Sequence, residues 1–574
     1  MEQAPKFTRH VWSQLWRLAK PFFFGRTWPR AWALLGGLIA LSLAVTGAGL
    51  WANRANGNFV TSLQKFDAPG YQRALGVYLA AIALAVPLAA FYRYIEERLG
   101  IAWRESLVRT LMQRYFHNRA YYHLCGNREI DNPDQRISED ARNFTTTTLS
   151  FLLIVINSAI QIVGYTGVLW SITPRLVWVM LGYAVLGTAG TYLIGRRLIG
   201  LNYLQYGREA DLRYGLVRVR DHSESIAFYR GEPRELRDLK ARLTAVIGNL
   251  LVLIKWNRNL AFFTTGYNYL ALILPTIIVA PLFLKHRVEF GDITRAMGAF
   301  AVVLAAVSMV ITQFERISAF AAAVTRLGAL WDFLDEKDAE DDLEAEFPQI
   351  AIQEEQRKIV LEHLNVRVPG TGRELIHDLS LTVPPCGSLL IMGESGSGKS
   401  SLLRTIAGLW SCGEGSIGRP PYRNMLFLPQ RPYMVPGTLR DQLEYPGTGQ
   451  EPTDEKLLDV LKLVNLPTLA DRVNGDLDCN ADWTNMLSLG EQQRLSFARL
   501  LLRKPAIAFL DESTSALDEP NEDRLYSYLR EHRYTFISVG HRSTLMKHHQ
   551  WLLTLGKKGG WKLEEIDANT PAGV

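Results

Sequence analysis

The chain is poor in cysteine. Its four residues, Cys125, Cys386, Cys412 and Cys479, are scattered over 574 positions without metal-ligand spacing. That pattern argues against a disulfide framework or a cysteine-bound zinc, and leaves isolated reduced thiols. A large excess of one charge is also missing: the net charge is +6, with 21% charged residues. Such a balance is no nucleic-acid footprint; beside long apolar segments it reads as a positive-inside bias. A secretory leader is missing too. Lys6, Arg9, Arg17, Lys20, Arg26 and Arg30 precede the first apolar run, but that run is too long and lacks a small-residue cleavage pattern. No repeat recurs along the chain.

What the chain has in quantity is apolar length, and it is unevenly spread. Of all residues 48% are hydrophobic, and the long runs fall in the first half. Six segments approach the roughly 20 apolar residues that cross a bilayer: 31–53, 75–95, 147–170, 175–195, 259–284 and 293–314. Ahead of them, 8–25 mixes Trp, Leu and Phe with Arg and Lys, as a helix lying on the cytosolic membrane surface does. Loops 96–146 and 196–258 are long and rich in Arg, whereas 54–74, 171–174 and 285–292 are short and less basic. Both termini are therefore expected in the cytoplasm. The long loops keep helical apolar spacing, so the membrane helices are expected to extend into the cytosol. An acidic linker follows, and from about residue 357 strands and helices alternate as in a parallel-sheet α/β domain. The expected division is an interfacial segment 1–30, a six-helix membrane domain 31–334, a linker 335–356 and a nucleotide-binding domain 357–574.

The strongest chemical signal is "SLLIMGESGSGKSSLLRTIAGL". An apolar strand leads into Gly393, Glu394, Ser395, Gly396, Ser397 and Gly398, and Lys399, Ser400 and Ser401 then open an amphipathic helix. Glycines let the backbone fold into a nest of N–H groups around phosphate oxygens, and the helix N-terminus adds its positive end. Lys399 is expected to reach the β- and γ-phosphates, and Ser400 to ligate Mg²⁺. In "PAIAFLDEST" a buried strand ends in Asp511 and Glu512. Asp511 is expected to hold Mg²⁺ through water, and Glu512 to polarise the attacking water.

"LSLGEQQR", Leu487 to Arg494, resembles the signature of ATP-binding cassette (ABC) ATPases. The resemblance implies that Ser488 and Gly490, with Gln492 and Gln493 beside them, touch the γ-phosphate held by another cassette. Gln430 in "FLPQRPYM" matches the Q-loop, which senses Mg²⁺, the γ-phosphate and the membrane domain. Ser515 to Asp518 match the D-loop, and His541 in "FISVGHR" matches the switch histidine that contacts the γ-phosphate. One family feature is absent: "HLNVRVPGTGRELIHDL" offers no aromatic ring for adenine, so Arg367, Val368 or another chain element would have to supply the platform. One P-loop and one signature per chain imply two chains per functional unit, most simply a homodimer.

The layout resembles ABC exporter-type proteins (type IV-like), with an α-helical six-helix membrane domain followed by the α/β P-loop domain. "NRANGNFVTSLQKFD", "NPDQRISEDARNF" and "SESIAFYRGEPRE" are similar to the peroxisomal, or D-subfamily, transporters and to cassette-fused SbmA/BacA-like importers. Within the second stretch, Asn132 is expected to cap a short helix, with Pro133 at its first position, Asp134 near its positive end and Gln135 completing a capping-box-like exchange. The resemblance makes Asn132–Gln135 one joint to a cassette and Glu224, Phe228, Tyr229, Gly231 and Glu232 a second. Polar side chains in the apolar segments, among them Thr46, Asn157, Gln161, Thr188, Asn268, Ser308 and Thr312, join helices or line a substrate path. Arg93, Arg98, Arg196, Arg197, Lys255 and Arg258 at inner helix ends follow the positive-inside rule or form an anion-attracting vestibule.

The expected activity is ATP hydrolysis coupled to transport, with ATP and Mg²⁺ as cofactors, a second copy as partner and no nucleic acid. The resemblance implies inward movement of cobalamin or hydrophilic peptide-like compounds across a bacterial plasma membrane. Rivals are a fatty-acid or acyl-CoA transporter and a membrane-anchored regulatory ATPase. The bacterial placement rests on the absence of a long targeting extension or late C-terminal helix.

Overall fold

The computed structural model describes residues 9–25, 28–124, 130–312, 314–339, 348–355, 357–369, 371–447, 452–557 and 559–566. Cys125 and, in the acidic linker, residues 340–347 and 356 lie outside the described residues. The chain divides into two compact units, Met1–Leu343 and Glu344–Val574.

The first unit is helical. Among the described residues six helices are long and apolar enough to cross a membrane: Trp28–Gln64, Ala68–Leu124, Pro133–Ile172, Pro174–Asp221, Glu232–Leu284 and Phe290–Ser308. Their boundaries follow from local chemistry. Asp67 caps the second by accepting from the Gly70 amide at 3.1 Å, and prolines open the third, fourth and fifth, where no amide partner is needed. Large apolar side chains such as Val163, Leu186 and Ile277 remain outward, as lipid contact requires. The first and second helices pack together, as do the fourth and fifth. Where the sixth crosses the first, a Cβ on Gly291 would lie 1.9 Å from the Gly57 carbonyl, so only glycine permits the approach. Asn157 joins three helices, bonding the Ser42 hydroxyl and donating to Tyr92 Oη at 2.7 Å. Its amide is thus spent on helix packing, one of the two uses its position allowed.

The short helix Arg9–Phe24 precedes the first span. It buries Val11, Leu18, Ala19 and Phe22 and leaves Trp12, Trp16 and Phe24 exposed, the two-faced arrangement of an interfacial helix.

The stretch after Asp131 corrects the capping expectation. Pro133 does start a helix, but Asn132 precedes it in the left-handed region (φ 44°) and its side chain caps nothing. Gln135 likewise makes no capping box; its amide donates to Glu139 at 3.3 Å. The helix is not a separate short element either. It runs through one π turn, Arg136–Asp140, directly into Ala141–Ile172. What holds the stretch in place is buried Arg136. It donates to the Asp131 carbonyl (2.9 Å) and carboxylate (2.6 Å) and to the Arg326 carbonyl (2.8 Å). Arg326 in return grips buried Asp140 with two bonds, 2.8 and 2.7 Å. This charged knot ties the stretch to helix Phe314–Ala339. The side chain of Arg114 adds an ion pair with Asp335 and lies 4.3 Å over the Trp331 ring.

The second unit is α/β. Its strands are β1 Ala351–Glu354, β2 Ile359–Arg367, β3 Glu374–Val383, β4 Ser388–Gly393, β5 Gly413–Arg419, β6 Met425–Leu428, β7 Gly437–Thr438, β8 Asn480–Ala481, β9 Ile507–Asp511, β10 Thr535–Val539, β11 Trp551–Leu555 and β12 Trp561–Glu565. The main sheet has the order β12-β11-β4-β10-β9-β6, parallel except for β12. A smaller sheet, β1-β5-β2-β3, lies beside it. β4, β9 and β10 are apolar almost throughout and buried, as central parallel strands must be. Among the described residues Cys386, Cys412 and Cys479 form no disulfide.

Candidate nucleotide site

Four adjacent parallel strands end at one place. β4 runs into the glycine loop, β10 leads to His541, β9 ends in Asp511 and Glu512, and Gln430 follows β6 by two residues. Strand carboxyl ends in an open parallel sheet are where ligands gather. Residues separated by more than a hundred positions thus meet through sheet order alone.

The glycine loop is shaped for backbone approach. Gly393, Gly396 and Gly398 have φ of 147°, 83° and 100°, values side chains rarely tolerate. A Cβ on Gly393 would lie 2.4 Å from the Leu555 carbonyl. Lys399 starts the following helix and curls back, donating to the carbonyls of Gly393 (2.8 Å) and Glu394 (3.0 Å). Its burial lowers its pKa, with Glu512 and Asp511 opposing. Ser397 Oγ is buried without a partner, a group suited to a phosphate oxygen. Ser395 and Ser401 flank this loop and helix start, and Glu394 is ion-paired with Lys557.

Ser400 Oγ donates to Asp511 Oδ1 at 3.4 Å, so hydroxyl and carboxylate converge where Mg²⁺ would sit. Burial raises the Asp511 pKa; the Ser400 hydrogen bond works against that shift. A bound cation would reverse the shift by favouring the charged carboxylate. The glycine nest, the unpaired Ser397 hydroxyl and this pair fit a magnesium-bound triphosphate.

Glu512 sits between two other groups. Its Oε2 accepts from Gln430 Nε2 at 2.7 Å and its Oε1 lies 2.8 Å from His541 Nε2. Its φ is 47°, an uncommon conformation for a side-chain residue, and its amide donates to the Val539 carbonyl at 3.0 Å. The sheet therefore fixes the carboxylate's direction at the mouth of the phosphate loop.

The signature opens helix Leu489–Arg503. Ser488 is its N-cap in a full capping box with Glu491. Burial pushes the Glu491 pKa up, but Arg472 at 2.5 Å and the Ser488 bonds outweigh it and hold the group below its ordinary value. Gly490 faces the D-loop, where a Cβ would be 3.0 Å from the Ala516 carbonyl. Gln492 Nε2 is spent on the Thr484 and Leu487 carbonyls, 3.1 and 3.0 Å, within its own cassette. Asp518 caps the next helix without a side-chain cap bond, its carboxylate instead accepting from Asn521 at 2.5 Å. Upstream of the P-loop, Arg367 lies 3.4 Å from Glu414 and Val368 packs on the sheet core.

The resemblance set Gln493 beside the signature, but its role as a brace was not foreseen. It is fully buried and ties three loops together: its amide donates to the Gln430 carbonyl (3.1 Å) and Ser515 Oγ (3.2 Å), and its oxygen accepts from the Ala516 amide at 3.0 Å. A second missed brace is Glu522, buried and bonded by Thr514 (2.7 Å) and Thr544 (3.0 Å). Beside it, Arg542 donates to the Leu517 and Ser515 carbonyls at 2.9 and 3.0 Å. A polar residue inside an otherwise buried helix face was the signal available for Gln493.

The residues expected to form the joints lie in the helical unit. Phe228 and Tyr229 end the short helix Ser223–Tyr229 with their rings in solvent, and Glu224 is exposed in its first turn. Gly231 donates to the Ile226 carbonyl at 3.0 Å, closing the turn, and Glu232 opens the next long helix.

Comparison with known proteins agrees with this geometry. Residues 18–284 match the family described as ABC transporter transmembrane region 2, and residues 376–515 match the ABC transporter family. An ABC transporter ATP-binding protein of Synechocystis is 44% identical, covering 93% of this chain and 82% of its own length. The chloroplastic ABC transporter D family member 2 of Arabidopsis thaliana is 38% identical over 97% of this chain and 89% of its own. The human lysosomal cobalamin transporter is 34% identical over 87% of each. The chain belongs to the ABC transporters, a multi-pass membrane protein with one membrane region, one ATPase cassette and relatives in the D family.

Proposed function

We propose that this chain is an ATP-driven half-transporter working as a homodimer that moves cobalamin, or a hydrophilic peptide-like compound, inward across a bacterial plasma membrane. The observation that carries the ATP-driven part is the convergence of Lys399, Ser400, Asp511, Glu512, Gln430 and His541 at the ends of four adjacent strands. Cobalamin is favoured by the likeness to the human lysosomal cobalamin transporter. The bacterial placement is favoured by relatives in Synechocystis and Haemophilus influenzae.

ATP with Mg²⁺ supplies the phosphoryl group and the charge neutralisation; the residues of the chain hold and orient it. Lys399 leaves the Gly393 and Glu394 carbonyls to pair with phosphate oxygens. Ser400, Asp511 and Gln430 would hold Mg²⁺, partly through water. Glu512 accepts a hydrogen bond from the attacking water and aligns it, and His541 donates toward the γ-phosphate. Ser488 and Gly490, with Asp518 of the D-loop, close the site on the partner's nucleotide, while Gln492 holds the signature loop within its own cassette. Closure favours one membrane conformation and hydrolysis releases it. Asn132–Gln135 and the Glu224–Glu232 segment transmit that change.

Acyl-CoA transport is the second reading. It rests on the cationic helix ends, several of which are already engaged: Arg93 lies 3.8 Å from Glu97, and Arg197 stacks 5.1 Å over Trp256. Labelled cobalamin uptake into proteoliposomes, run beside acyl-CoA stimulation of ATPase activity, separates the readings. ATP-dependent uptake supports the first. Stimulation without uptake supports the second, and no response to either removes both.

A further inference from the structure

A cavity of about 900 Å³ opens on the cassette at the opposite end of the main sheet from the phosphate loop. Its walls include Pro385 and Cys386 just before β4, Asn424 before β6, Ala506 before β9 and Thr535 at the start of β10. These are strand amino ends, whereas the nucleotide site occupies the carboxyl ends of the same strands. The cavity is therefore separate from the ATP site.

Its lining is strongly cationic. Arg357, Arg423, Arg503, Lys504 and Arg533 converge on it, with His532 beside them. Two carboxylates, Glu354 and Glu355, stand at one edge, and Glu355 is engaged by Lys358 at 3.4 Å. Among the described residues none of the five lining cations is in an ion pair. A helix-end preference accounts for three of them, since Arg503 closes the last turn of Leu489–Arg503, and Lys504 and Arg533 follow the last turns of Leu489–Arg503 and Glu519–Glu531. It does not account for Arg357 and Arg423, which come from turns between strands.

The backbone is shaped as well. Arg357, Cys386, Lys504 and Arg533 all have positive φ (60°, 62°, 47° and 52°), where glycine or asparagine is the ordinary choice. The Arg503 guanidinium is held by the Arg423 carbonyl at 3.0 Å, and His532 stacks on Tyr528 with ring centroids 3.9 Å apart. Five unpaired cations in one concavity repel each other and focus a positive potential into it. A guest with clustered negative charge relieves that repulsion, and arginine forks suit phosphate oxygens.

The geometry points to a second, regulatory ligand site here, built for a small molecule carrying two or more phosphate groups, either free or as a lipid headgroup. The volume admits a sugar bisphosphate or a headgroup of that size, and the Tyr528–His532 stack provides a flat wall. Occupancy would bridge turns from both sheets and so stiffen the cassette from the side away from ATP.

The test uses the purified full-length chain with its nucleotide site filled by a non-hydrolysable ATP analogue and Mg²⁺. Fructose 1,6-bisphosphate is titrated calorimetrically. In a parallel arm, the chain in phosphatidylcholine nanodiscs is compared with and without phosphatidylinositol bisphosphate. Saturable binding in either arm, weakened about tenfold or more in Arg423→Glu/Arg533→Glu and by high salt, is expected. The responding arm identifies the source. Arg423→Gln/Arg533→Gln serves if charge reversal prevents folding, and unchanged affinity for the ATP analogue shows that the cassette is intact. Absence of saturable binding in both arms, or binding that survives the double variants, overturns the site.

Discussion

Glu512 combines two properties that rarely coincide: a left-handed backbone, and a carboxylate shared between Gln430 and His541. The conformation costs on the order of 1 kcal/mol and is retained by the sheet around it. Replacing its carboxylate by an amide keeps the shape, removes the negative charge and turns one of the two acceptor oxygens into a donor. Glu512→Gln is expected to lower ATP turnover by about two to four orders of magnitude while ATP still binds, measured by phosphate release and by nucleotide binding. Asp511 makes a pH prediction. Its raised pKa means that protonation begins above the ordinary aspartate range of about 4, and the protonated group cannot hold Mg²⁺. Mg²⁺ affinity is therefore expected to fall on acidification earlier than an unperturbed carboxylate would allow, and Asp511→Asn should abolish that dependence. At Gln493 the expected loss is in kcat rather than in nucleotide affinity. Gln493→Ala frees the Gln430 and Ala516 backbones at once, and turnover should drop about tenfold, corresponding to one or two hydrogen bonds of positioning. Loss of ATP binding without loss of kcat would contradict that role.

Among the elements, the stretch Asp131–Asp140 shows most clearly where sequence reasoning ended. Its polarity, its proline at the first helical position and the approximate start of the helix were legible in "DNPDQ". The cap was not, because Asn132 turned left-handed and Arg136 found partners at Asp131 and at Arg326, 190 positions away. Long-range partners of this kind carry no local signature. Asp140→Asn leaves Arg326 without its buried carboxylate and is expected to cost the membrane unit about 2 kcal/mol, read as a lower Tm in detergent. Asp134 lies on the exposed side of the same helix start, away from the knot. Asp134→Lys should then impair substrate-stimulated ATPase activity while leaving nucleotide affinity and Tm nearly unchanged. Equal loss of coupling and affinity would count against a joint at this place.

For the whole molecule, two layers of information differed in legibility. Membrane spans and the P-loop were readable because apolar length and glycine spacing are local properties. The signature, Q-loop and switch histidine had no such local reason; resemblance brought them forward, and strand order then placed Gln430, Asp511, Glu512 and His541 together. The second cavity left no trace in any motif, since its cations come from turns scattered between positions 357 and 533. What one chain holds is one phosphate loop and one signature, and the central claim is that two chains complete each other's sites. Nucleotide occlusion in a mixed dimer tests this most directly. One chain carries Glu512→Gln with Ser488→Arg, the other Glu512→Gln with Lys399→Ala, each of which alone should fail to occlude ATP. Mixed, they leave one site intact, and one occluded ATP per dimer is expected; a mixed dimer that occludes none, like its parents, would contradict the claim.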